Sequence, residues 1–139
     1  MNAQQIMDLL FLMDTKADYS NTVDTFKSGY AQKEVQKVGV AMFGTYKVIK
    51  EAAEWGAELL VVHEPIYYHH RDLTEHLQNN PVYLEKLRLI EESGDTLELF
   101  ADSREDEASL VKRFGALGRG SYANRREGTA DGGIEARLL

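Results

Sequence analysis

Cysteine is absent from the chain, which removes disulfides, thiol nucleophiles and thiolate metal ligands together. Any metal site must be built from histidine, aspartate and glutamate, a donor set suited to Zn, Mn, Fe or Mg. Basic residues are in deficit, 16 against 23 acidic, so the formal charge is −7. An acidic chain argues against nucleic acid or an anionic membrane held by bulk electrostatics, while leaving room for a small ligand at one local site. No apolar run reaches membrane-spanning length, and the N-terminus lacks a basic lead and a small-residue cleavage site, so a cytoplasmic location is expected. Proline is scarce, two residues in 139. Each therefore marks a specific place, Pro65 stopping a strand and Pro81 opening a helix.

Histidine is scarce too, four in all, yet His63, His69 and His70 fall within eight residues. They follow Leu59–Val62, four apolar residues that read as a strand buried on both faces. Pro65 cannot extend a central strand, so the polar residues belong to the loop at its C-terminal end. In open α/β sheets ligands bind at that edge. Adjacent His63 and Glu64 would point to opposite sides if fully extended. A turn into Pro65 brings both to one crevice. Imidazole and carboxylate there suit a divalent ion. The plainer alternative, a histidine bonded to backbone beside a solvated glutamate, is favoured on spacing alone.

The rest of the chain is legible in outline. Residues 4–13 carry a broad apolar helical stripe, and residues 14–29 read as a polar loop long enough to cover the site. Residues 38–43 form a first central strand. Thr45 caps a helix that Gly56 ends, and the Leu59–Val62 strand completes a βαβ unit with parallel strands. Asn80-Pro81 heads a second helix, residues 96–101 alternate as a third strand, and residues 108–114 suggest a short last helix. The glycine, four residues and Gly-Thr of Gly39 to Thr45 lack the lysine of a phosphate loop, and Gly39 lies within a strand. Residues 1–114 are thus read as a single α/β domain. Residues 115–139 hold six of the eleven glycines with scattered arginines and are read as a disordered tail.

Val35 to Met42, Val48 to Ala52, and Gly56 to Pro65 resemble the Nif-three-like dinuclear metal-centre family in its His-Glu-Pro branch, with Asn80-Pro81-Val82-Tyr83 and Lys86 continuing the likeness. The match covers about residues 1–94. The resemblance implies an α/β fold with a parallel or mixed sheet built on the βαβ unit and flanked by helices. It also implies a homo-oligomer, two divalent ions, and a metal-dependent hydrolase similar to a GTP cyclohydrolase, acting on a nucleotide-like or phosphorylated small molecule. Carried over position by position, His63, Glu64 and His70 are metal ligands. The distal carboxylate is Asp102 under one alignment and Asp106 under another. Under the first alignment both histidines of the family's segment are gone, under the second its one histidine is lost, and no histidine follows His76. The site is therefore expected to be incomplete, and the alternative is a non-catalytic binding or assembly module that keeps the fold without metals. The wide apolar helix near the N-terminus (Ile6, Leu9, Leu10, Phe11, Leu12, Met13) points to self-association as well.

Overall fold

The computed structural model of the chain describes residues 1–13, 23–67, 69–93, 98–101, 127–128 and 134–139. Helix α1 spans Ala3–Met13, strand β1 Phe26–Ser28, strand β2 Lys37–Ala41 and helix α2 Tyr46–Trp55. Strand β3 (Leu59–Val62), helix α3 (Pro81–Ser93) and strand β4 (Glu98–Ala101) follow, then strands β5 (Glu127–Gly128) and β6 (Glu135–Leu138). The six strands form one sheet in the order β1-β4-β3-β2-β6-β5. β4, β3, β2 and β6 run parallel, and β1 and β5 close the two edges antiparallel. The sheet is therefore mixed around a parallel centre.

Two-residue alternation sorts the central strands onto two helical layers. Val38 and Val40 of β2 with Leu59 and Val61 of β3 meet Ala3, Ile6 and Met7 of α1. Ala41, Leu60 and Val62 face the other way, against Ile49 and Ala52 of α2 and Ile90 of α3. This two-sided demand explains why β3 reads as an unbroken apolar run.

Local chemistry sets the helix ends. Thr45 Oγ1 accepts from Val48 N at 3.2 Å. Gly56 closes α2 at φ 78°, a left-handed conformation that glycine adopts without strain. Asn80 Oδ1 accepts from Val82 N and Tyr83 N at 2.9 and 3.2 Å, capping α3 above its first-turn proline.

Two expectations need correction. Part of the 14–29 stretch is a strand, because β1 pairs with β4 at the sheet edge. Residues 134–139 are not a disordered tail: β6 is an interior strand whose other neighbour is β2, and Ile134 and Ala136 are buried in the α1-side core. β6 is four residues long, with Glu135, Arg137 and Leu138 half-buried beside the buried Ala136, so the sequence offers no apolar run to betray it. Gly39 accommodates this end of the chain, since a Cβ there would lie 2.8 Å from Leu139 Cδ1. On α1, Ile6 and Met7 are buried against the sheet and Phe11 packs against the same core. Leu12 stays 75% exposed. The expected helix over residues 108–114 lies outside the described residues, as do residues 14–22 of the loop. Among the described residues, no helix is long and apolar enough to cross a membrane.

Candidate functional site

The parallel pairing of β2 with β3 continues past the strand ends. His63 N donates to Ala41 O at 3.1 Å and Glu64 N to Met42 O at 2.9 Å. Both lie just past the end of β3, where the chain bends. His63 lines a small pocket with Asp24, Lys27, His70 and Asp72, its walls completed by Val23 and Pro65. Glu64 does not line it. His63 and His70 meet in one pocket, whereas Asp102 and Asp106 lie outside the described residues.

Asp72 organises the loop that carries these histidines. Its Oδ1 accepts from Tyr67 N at 2.7 Å, and its own N donates to His69 O at 2.6 Å. Its backbone is left-handed, φ 51°, a conformation aspartate tolerates better than most residues. The Lys27 ammonium lies 3.3 Å from Oδ2, with the two side chains only 12% and 7% exposed, so a nearly buried ion pair ties β1 to the loop. Lys27 Nζ also donates to Val23 O at 3.1 Å. Asp24, 4% exposed, adds a second carboxylate.

The far side of the loop rests on α3. Lys86, 5% exposed, donates to the Ile66 carbonyl and sits 5.6 Å from the centre of the Tyr67 ring. Tyr67 in turn meets Tyr83 edge-on at 5.2 Å between centroids. Burial pushes the Lys86 ammonium down to about 8, against the pull of the Asp72 carboxylate. Burial, then the neighbouring Tyr83, Asp72 and Glu91, pushes the Tyr67 phenol up to about 12.

These shifts have opposite consequences for stability. Between about 8 and 10.5 the unfolded chain holds the Lys86 proton more firmly than the folded one, so stability rises with pH. From about 10 to 12 the folded chain holds the Tyr67 proton more firmly, so stability falls. Urea unfolding from pH 7 to 10 should show the native chain gaining on a Lys86→Met variant as pH rises. Parallel curves for the two proteins would show that Lys86 titrates normally.

The sequence offered no pattern for Asp24 or Lys27, and Lys86 entered only with the family likeness and without a role, while Val23, Asp24 and Lys27 of the 14–29 stretch line the pocket. His76 lies on an exposed 3-10 turn, Glu75–Leu77, with its ring 6.4 Å from that of His69. Among the described residues, no group of three or more histidine, aspartate and glutamate side chains is close enough to hold a metal ion. The pocket itself holds about 10 Å³, room for about one water. The donors are of the right chemical kind, but they are not arranged as a preformed centre.

A profile of the Duf34/NIF3 family (NGG1p interacting factor 3) matches residues 2–89. No curated protein matches the chain. Among solved structures, a Bacillus cereus protein related to NIF3 is similar at 20% identity and TM-score 0.57, over 73% of this chain and 27% of that one. Reduced HcgD from Methanocaldococcus jannaschii is similar at 22% identity and TM-score 0.54, over 92% of this chain and 53% of that one. A Staphylococcus aureus protein is similar at 26% identity and TM-score 0.52, over 73% and 28%. The chain thus spans between about a quarter and a half of these proteins' lengths. With the profile covering well over half of its residues and the α/β fold shared with NIF3-related structures, the chain belongs to the Duf34/NIF3 family.

Proposed function

We propose that the chain is a binding domain of the NIF3 type whose histidine pocket takes one divalent ion weakly. The observation that carries this reading is the meeting of His63 and His70 in one pocket beside Asp24 and Asp72. Neutral imidazoles and carboxylates are suitable first ligands for Zn, Mn or Fe. Weakness follows from the company they keep: Asp72 is already paired with Lys27, whose ammonium repels a cation in the same pocket. Glu64 does not line that pocket.

The described residues do not fit a preformed dinuclear centre, and no hydrolytic step follows from them. A second reading, a metal-dependent hydrolase acting on a nucleotide-like or phosphorylated small molecule, is favoured by the same histidine pair. It requires further ligands from outside the described residues, Asp102 or Asp106 first among them. An ion so held would lower the pKa of bound water and polarise a bound electrophile. Self-association and a cytoplasmic location belong to the proposal on the strength of family membership and the acidic composition.

Calorimetry with Zn and Mn on chelator-treated protein tests it. One ion per chain is expected, at about 10 μM or weaker because ligands are few. His63→Ala and His70→Ala should each abolish the heat. Two ions bound well below that range would favour the hydrolase, and no heat at about 1 mM would leave a binding module without metal.

A further inference from the structure

Beside the histidine pocket, and sharing Lys27 with it, an open cleft of about 450 Å³ lies between β1 with the residues after it and the Leu87–Glu91 turn of α3. That volume falls in the range of small-molecule sites. Leu87 and Ile90, three residues apart on α3, line it together with the rings of Tyr30 and Tyr67, and Tyr30 is 73% exposed. Such an aromatic, held against apolar neighbours yet open to water, is available to a ligand.

The charges in the cleft are unequal. The Lys27 ammonium is already committed to Asp72 at 3.3 Å and to the Val23 carbonyl at 3.1 Å. Glu91, on the opposite wall, is exposed and makes no salt bridge with another described residue. Its charge is felt at the Tyr67 phenol, which keeps its proton and stays neutral. The described lining therefore presents one carboxylate without a salt bridge, the open Tyr30 ring beside the half-buried Tyr67, and an apolar floor. A carboxylate beside aromatic faces is the chemistry that recognises an organic cation, and the same arrangement repels an anion.

We infer that the cleft bounded by Tyr30, Tyr67, Leu87, Ile90 and Glu91 is a binding site for a small amine, a flat or aliphatic apolar body carrying one ammonium group. The ring or chain lies on Leu87 and Ile90 between the tyrosines, and the ammonium meets Glu91. This goes beyond the metal reading and needs no ion in the histidine pocket. It assigns the cleft a substrate class opposite in charge to a phosphorylated molecule.

Three probes with one ring separate the contributions: tryptamine, indole and indole-3-propionate, titrated by NMR into the full chain with chelator present. Tryptamine is expected to bind at about millimolar strength, as its size allows. It should bind about fivefold or more tighter than indole, with the propionate weakest. Glu91→Gln, a change at an exposed position, should bring tryptamine down to the level of indole and leave indole unaltered. Tyr30→Ala should weaken all three. Preference for the propionate, a tryptamine advantage that survives Glu91→Gln, or no shift of cleft resonances with any probe at about 10 mM would overturn the assignment. Because chelator is present, that failure is distinct from a failure of the metal calorimetry.

Discussion

Removing residues 134–139 should lower the unfolding free energy by about 4 kcal/mol or more, the largest effect expected here. The deletion exposes the core under Ile134 and Ala136, each buried against α1 and β2. It also strips β2 of its parallel partner, including the bonds from Glu135 N to Gln36 O at 2.6 Å and from Leu139 N to Val40 O at 2.9 Å. A central strand becomes an edge with a row of unpaired backbone groups, which promotes aggregation as well. Ile134→Ala alone should cost about 2 kcal/mol. Urea unfolding with an unchanged m-value reads both effects. A loss under about 1 kcal/mol for the deletion would mean that β6 lies outside the cooperative unit.

That strand marks where sequence reading stops. β2, α2, β3 and α3 were legible because each carries its own local signature: an apolar run, a capping threonine, a left-handed glycine, an Asn-Pro helix start. β6 has none, and its place is fixed by a long-range pairing with β2 that no local window contains. The fold class was accessible, and so was the sheet edge at which the site lies. The make-up of the site was less so. His63 and His70 were found from clustering, but that Glu64 does not line their pocket is a tertiary outcome with no local pattern. The burial of Lys27 and Lys86 could not be read, because burial of a lysine is a tertiary outcome without a sequence pattern.

Asp72→Asn should cost about 3 kcal/mol despite being nearly isosteric. Asparagine retains an oxygen for Tyr67 N and tolerates the left-handed backbone at φ 51°. The change therefore isolates the charge. It leaves the Lys27 ammonium, 12% exposed, without its partner at 3.3 Å. Lys27→Met combined with Asp72→Asn should recover most of the loss, because a removed pair is tolerated better than a broken one. A double-mutant cycle by urea unfolding should return a coupling of about 2 kcal/mol. Strictly additive costs would mean that the pair is solvated and that β1 is not tied to the histidine loop through it.

On the proposed function, His63 and His70 act together on one ligand while His69 and His76, nearby and similarly spaced, do not. Their side-chain nitrogens can be followed one by one by NMR during a Zn titration of the labelled chain. The account predicts that the His63 and His70 signals move together with a single affinity and reach their end point at one ion per chain. Movement of the His69 and His76 signals in their place would contradict it, since the ion would then sit on the exposed pair whose rings are 6.4 Å apart.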